Sequence, residues 1–460
     1  MHPLLVLNVV GLTPSLLRHT PRLAAIGRSG FMAPLGTVLP AVTCSAQATM
    51  LTGRMPREHG IVGNGWYFRD LAEVLFWRQS NALVGCDHEK IWHAGRRRFG
   101  DGFTVAQMFW WYNMHAAVDV AATPRPIYPA DGRKIPSLFT EPAALKDELQ
   151  TGLGRFPLFH FWGPTADIVS SRWIAEATRR VMESRRPTLT LCYLPHLDYD
   201  LQRFGPDSPE AVRACGEIDA VAGELAEWAA NAGRTVAVVS EYGIRRVRAA
   251  VDINRALRRA GLLRVQEVDL GWELLDCGGC EAFAVADHQI AHVYVRRPER
   301  VAEVQAFLRS IDGIDDVLDR DAQAAYGIDH ARSGELVAVA APDRWFTYYY
   351  WLDDAKMPDF ARTVDIHRKP GYDPAELFVD PSITFPKLRI GWMLAKKMLG
   401  FRTLMQVIGT DARIVRGSHG RLPDRDDEGP VFLCTDRSLR RDRLAMTDVR
   451  DLALDLIARQ

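Results

Sequence analysis

Residues 40–64 read PAVTCSAQATMLTGRMPREHGIVGN. An apolar run closes at Pro40, and the pattern that follows predicts a helix start at Thr43. A hydroxyl at such a place lies beside unpaired backbone N–H groups and the positive end of a helix dipole, which suits phosphate binding and stabilises an attacking alkoxide. Taken alone, a Thr in Thr-Cys-Ser also reads as a plain helix N-cap. The choice between the two depends on what surrounds the stretch.

Short apolar runs alternate with amphipathic helical stretches, the pattern of an α/β protein with a mostly parallel buried sheet. The clearest strands are Leu4–Val10, Thr188–Leu194 and Thr235–Ser240, each apolar throughout and ending in a polar or Gly-containing turn. Strands of that kind are buried on both faces. Ligands of open α/β sheets bind beyond the carboxyl ends of the strands, so the residues just after these runs are the ones to watch. A second pattern between Ala291 and Ala341 (strand, helix, short strand, strand) predicts a small α+β module. The expected division is a core over 1–285, an inserted module over 286–345, and a segment over 346–460 that returns to the core and ends in a closing helix. Within the core, the aromatic-rich stretch 69–187 reads as helices and loops packed over the sheet rim.

Apolar residues are 47% and charged residues 25% of 460, which excludes a disordered, collagen-like or coiled-coil chain. Lys+Arg 57 against Asp+Glu 57 cancel, so neither a wide nucleic-acid surface nor a wide anionic-membrane surface is indicated. The N-terminus has no basic start and no small-residue cleavage site, and no apolar run approaches the roughly 18 residues of a membrane span. A cytoplasmic setting without a membrane span is expected. Cys277 and Cys280 form an isolated Cys-Gly-Gly-Cys, read as a glycine turn.

The 40–64 stretch resembles the nucleophile region of the alkaline phosphatase superfamily, most closely its type I phosphodiesterase/nucleotide pyrophosphatase branch. Thr43, Thr49, Thr52, Gly53, Pro56, His59, Gly60, Ile61 and Asn64 fall in register with that branch's motifs. Further motifs arrive in the same order: Asp198 to Gln202 and then Gly205-Pro206, Ser240-Glu241-Tyr242-Gly243, and Gly417-Ser-His419-Gly420. The resemblance implies a three-layer α/β/α sandwich with a mostly parallel sheet and a small inserted module. It implies a phosphoric-ester hydrolase in which Thr43 attacks phosphorus and forms a phospho-threonine. Asn64 would donate to a phosphoryl oxygen, while His59 stabilises its turn. The substrate would be a small-molecule phosphate ester, with no nucleic-acid partner; the oligomeric state is left open.

The family's site is a two-cation clamp. By resemblance Asp198, position 202 and His419 hold one ion; the first-strand carboxylate, Thr43 and positions 241 and 242 hold the other. This sequence departs from the pattern. Val10 stands at the first-strand carboxylate, leaving Asn8 as the polar residue on that face. Gln202 replaces a His, and Glu241-Tyr242 replaces Asp-His. The expected ligand set is therefore Asn8, Asp198, Gln202, Glu241 and His419, an oxygen-rich group that suits Mg²⁺ or Mn²⁺ better than Zn²⁺. These altered residues resemble those of a bacterial subgroup of phosphatase-like proteins. The alternative is a catalytically altered or inactive protein that binds a phosphorylated metabolite for a partner enzyme.

Two clusters could compensate for the lost ligands. His288, in Asp287-His288 at the start of the module, and His367, in Asp365-Ile-His-Arg-Lys369, could ligate a relocated metal or serve as a general acid. Lys369 or Arg368 could bind phosphate, and Tyr242 would face the substrate. His292 reads as a packed strand residue. Trp110, Trp111, Tyr112 and Trp162, with Arg125, Tyr128, Arg133 and Lys134, could form an apolar pocket with a basic rim.

Overall fold

The computed structural model describes residues 1–130 and 133–459. The strand Leu4–Val9 is buried at all six positions. It runs parallel to Leu189–Leu194 on one side and to Thr235–Val239 on the other. Its side chains alternate between two apolar layers, as the pleat requires. Leu5, Leu7 and Val9 pack toward the helices Pro21–Ser29, Ile168–Arg185 and Pro209–Asn231. Leu4 and Val6 pack toward Thr43–Thr52, Ile91–Phe99 and Val449–Ile457. Each fully buried Leu or Val here contributes about 1.5–3 kcal/mol of transfer free energy. Asn8 lies on the Leu4/Val6 face, the side of the Thr43 helix. Val10 sits past the strand end and packs into the opposite layer.

The central sheet has nine strands, in the order Leu444–Ala445, Phe31–Gly36, Val431–Cys434, Thr235–Val239, Leu4–Val9, Leu189–Leu194, Val105–Met108, Val120–Pro124, Leu138–Glu141. From Thr235–Val239 to Val120–Pro124 all neighbours are parallel, and antiparallel pairing appears only toward the edges. The α/β/α sandwich expected from the sequence is thus present.

The stretch 69–187 differs from its sequence reading. It supplies three strands that extend the sheet, besides its helices and loops. Those strands are only four or five residues long and include Gln107, Thr123 and Pro124, too short and mixed for a period-2 signal to stand out.

A separate four-stranded sheet runs in the order Ala282–Asp287, Ile290–Val295, Leu336–Ala340, Ile314–Leu318. Its first two strands pair from Ala282↔Val295 to Asp287↔Ile290. They are joined by His288 and Gln289, with His288 at φ +62°, an uncommon backbone region for a non-glycine residue. Two hydrogen bonds hold this tip against the core: Gln289 N donates to the His419 carbonyl (2.8 Å), and Phe346 N to that of His288 (2.7 Å). The Cys-Gly-Gly-Cys is a turn with both thiols free.

Candidate active site

Thr43 is the first residue of the helix Thr43–Thr52; Val42 precedes it in extended conformation and offers no capping side chain. Gly53 ends the helix at φ +63°, the left-handed position a helix C-terminus favours. Asn64 substitutes for the missing cap, its Oδ1 accepting from Cys44 N at 3.0 Å. Asn64 is in turn fixed by Asp287 at the tip of the inserted sheet. Asp287 Oδ2 accepts from Asn64 N (2.7 Å) and Oδ1 from Asn64 Nδ2 (3.0 Å).

The Thr43 hydroxyl lies 3.1 Å from the Tyr242 phenol. That phenol donates to Asp198 Oδ1 at 3.1 Å, which leaves Thr43 to donate to it. Asp198 and Gln202 are one helical turn apart on His196–Phe204. Gln202 Nε2 donates to Asp198 Oδ2 at 2.7 Å, and Gln202 Oε1 accepts from the Tyr372 phenol at 3.1 Å. Glu241 forms a second knot: its Oε1 accepts from Asn8 Nδ2 (2.5 Å) and Gln47 Nε2 (2.6 Å), while Oε2 has no partner. Gln47, one turn along the Thr43 helix, is braced by Trp111 N (2.7 Å). Thr43 is 4% exposed and Asp198 6%, so both are largely removed from solvent. Burial pushes Asp198 up to about 7 and Glu241 up to about 8, against the amide and hydroxyl donors that hold them down.

Four rings form a column along one wall. Tyr242 stacks on His419 at 3.6 Å with planes 5° apart; His419 meets His288 at 3.7 Å, and His288 meets Tyr372 at 3.7 Å. His419 Nδ1 donates to the Ala41 carbonyl (2.8 Å), and its Nε2 lies 3.9 Å from Asp198 Oδ1. His288 Nδ1 pairs with Asp287 Oδ1 at 2.8 Å, and its Nε2 has no partner. Burial drives both imidazoles well below their usual range and raises Asp287 to about 6.

Thr43, Asn64, Asp198, Gln202, Glu241, Tyr242, His288, His419 and Asn8 therefore converge on one place. Three further groups there, Gln47, Asp287 and Tyr372, were not singled out from the sequence. Gln47 could have been found by its four-residue spacing from Thr43, but nothing local marks the other two. His367 and Lys369 stand apart. His367 Nδ1 is 3.3 Å from the Phe76 carbonyl, and burial lowers it to about 4. Lys369 is buried between Asp373 (2.7 Å) and Glu376 (2.8 Å). Its ammonium is held by that pair rather than offered to a phosphate. His59 bridges its own turn, from Thr49 Oγ1 (3.0 Å) to Ile61 N (3.1 Å). His292 is a packed strand residue bonded to the Val62 carbonyl (2.8 Å). Trp110 lies in the core layer rather than at the site. Trp162 meets Tyr372, and Trp111 meets Trp77, a residue outside the expected pocket that also meets Tyr372. Of the stretch meant to supply a basic rim, Asp131 and Gly132 lie outside the described residues.

The donor set does not fit the expected two-cation clamp. Both oxygens of Asp198 already accept from Tyr242 and Gln202, and Glu241 is held by two amides. Val10 is turned into an apolar layer, and His419 is the one surviving imidazole of the expected ligands. Among the described residues no group of three or more His, Cys, Asp or Glu is arranged to hold a metal ion. Neutral N–H and O–H donors hold Asp198 and Glu241 Oε1, while Glu241 Oε2, Asn8 Oδ1 and His288 Nε2 have no partner.

The fold is similar to that of murine ectonucleotide pyrophosphatase/phosphodiesterase 5, an inactive variant in complex with AMP (TM-score 0.59, 14% identity, 100% of this chain and 96% of that one). It is equally similar to phosphonoacetate hydrolase from Sinorhizobium meliloti 1021 in complex with phosphonoformate (TM-score 0.59, 15% identity, 99% and 96%). At such identities the likeness is one of fold. No curated protein sequence matches the chain. Residues 4–373 match the family described as type I phosphodiesterase/nucleotide pyrophosphatase, and the chain belongs to that family.

Proposed function

We propose that this member of a phosphoric-ester hydrolase family uses Thr43 as nucleophile and removes its proton through Tyr242 to Asp198. The observation that carries the reading is the unbroken chain from Thr43 Oγ1 to the Tyr242 phenol to Asp198 Oδ1 at the start of a helix. As the threonine oxygen bonds to phosphorus, its proton passes to the phenol oxygen and the phenol's own proton passes to Asp198. A leaving group stable as an anion departs without needing an acid. Water then attacks the phospho-threonine and the bond from phosphorus to Thr43 Oγ1 breaks. Asp198 returns its proton through Tyr242 to Thr43, while the proton that water sheds passes to a phosphoryl oxygen of the strongly acidic product and from it to solvent. Asn64 Nδ2 gives one hydrogen to Asp287 and has a second to offer a phosphoryl oxygen. Asp198 and Glu241, raised by burial to about 7 and about 8, gain negative charge as pH rises through those values. Charge repulsion in a buried site is weakly screened, which favours a singly charged diester over a doubly charged monoester.

Turnover of bis-p-nitrophenyl and p-nitrophenyl phosphate, with chelator and with added Mg²⁺, Mn²⁺ or Zn²⁺, tests this. The expected result is diester turnover that survives chelation and is lost in Thr43→Ala. Activity that appears only with metal refutes the proton chain. A second reading, a protein that binds a phosphate ester without turning it over, is favoured by the amide and phenol donors that hold Asp198 and one oxygen of Glu241. Wild type and Thr43→Ala equally idle under every condition, yet binding the ester, would establish it.

A further inference from the structure

The segment between Asp380 and Val407 leaves the body and returns to it at nearly one point. Asp380 N donates to the Val407 carbonyl (2.8 Å), Ile408 N to that of Arg362 (3.3 Å), and Asp380 pairs with Arg362 (3.2 Å). Between those feet lies the helix Pro386–Met398, which has no buried residue at all. A helix of this length is marginal in water without a partner face. Its surroundings are apolar and bare: Leu388 is 74% exposed, Trp392 61%, Met398 89%, Leu399 73% and Phe401 63%. Leu388, Trp392, Ala395 and Leu399 follow 4-3-4 spacing and so form one stripe. Exposed apolar surface of this extent marks an interaction site.

Charge identifies the partner. From 381 to 410 there are five cations, Lys387, Arg389, Lys396, Lys397 and Arg402, and no Asp or Glu. Lys396 lies over the Trp392 ring at 5.3 Å, its stem along the apolar face and its charge at the edge. A second copy of the same segment would set these cations against each other, and a nucleic acid would leave the Leu, Met and Phe side chains wet. A basic helix with Trp, Phe and Leu exposed has the composition of one that lies in a membrane interface. We infer that residues 381–406 dock this protein on an anionic lipid bilayer surface, the apolar side chains entering the headgroup boundary and the cations meeting lipid phosphates. The zero net charge of the whole chain conceals this local excess. The inference rests on the segment alone and is independent of the chemistry assigned to Thr43.

Co-sedimentation of the full chain with vesicles of phosphatidylcholine, alone or mixed with phosphatidylglycerol, tests it at low and high salt. Binding is expected only to the anionic vesicles and should weaken with salt. Reversing two charges in Lys396→Glu/Lys397→Glu should lower the partition constant on the order of tenfold or more. Leu388→Ser/Trp392→Ser/Leu399→Ser should abolish binding while the circular dichroism and melting temperature of the body stay unchanged. Brominated lipid should quench wild-type fluorescence more than that of Trp392→Phe. No binding to anionic vesicles, or equal binding by the variants, overturns the inference. So does a stable dimer in light scattering that the triple variant dissolves.

Discussion

Removing a single oxygen, in Tyr242→Phe, separates the proton chain from mere packing. The ring stacks on His419 at 3.6 Å and is buried, so Phe keeps the column. What is lost is the group that accepts from Thr43 and donates to Asp198 Oδ1. The stability effect follows from leaving a buried hydroxyl and a buried carboxyl oxygen short of partners, about 1–3 kcal/mol. The kinetic effect is larger, because general-base assistance is worth about 10²–10⁴ in rate. Asp198 also loses a donor that lowers its pKa, so its apparent pKa should rise further. Diester hydrolysis by Tyr242→Phe should therefore show kcat down by about 10² or more with KM little changed, alongside a modest loss in urea stability. A variant destabilised by that amount but turning over within a few-fold of wild type would refute the reasoning, since the phenol would then be structural only.

Three more outcomes follow from the geometry. Val10→Asp, which restores the family's first-strand carboxylate, should not create a metal site; it buries an unpaired carboxylate in an apolar layer and should cost several kcal/mol, measured by urea unfolding with and without Zn²⁺. Lys369→Met leaves Asp373 and Glu376 buried without their cation and should cost about 3–5 kcal/mol. A triple replacement by Met, Leu and Leu should recover much of that loss, and failure to do so argues that the cluster has another role. His59 is held neutral, its folded pKa lowered by burial to about 3. The unfolded chain therefore binds the proton first, and stability falls as pH drops below about 6.5, by about 1.4 kcal/mol per unit. Asp198 and Glu241, whose folded values are raised, run the other way. Comparing wild type with His59→Gln between pH 7 and 5.5 cancels their effect, and an equal loss in both proteins would contradict the assignment.

The strands flanking the site were legible because Leu4–Val9, Leu189–Leu194 and Thr235–Val239 are long, apolar and buried on both faces. The strands Val105–Met108 to Leu138–Glu141 were not, since their pairing comes from an already formed sheet edge rather than from their own pattern. Most of the site residues could be read because each follows a strand end or shares a helical turn with one that does. Their chemistry could not. Spacing places Asp198 beside Gln202, but only tertiary contact shows that Tyr242 donates to Asp198 and that Gln47 and Asn8 donate to Glu241. Asp287 comes from a hairpin tip held by hydrogen bonds to His419 and Phe346, neither of them local in sequence. Lys369 looked like a phosphate ligand because its two acidic neighbours, at spacings of four and seven, look just as much like a solvated face.

The ring column draws on four separate parts of the chain: Tyr242 follows the central sheet, His419 comes from the late return segment, His288 tips the inserted hairpin and Tyr372 closes a distant loop. No one of them can withdraw without parting two aromatic faces. That wall of the site is therefore shared among segments far apart in sequence, and a change made at any one ring is passed to the others through their stacked faces.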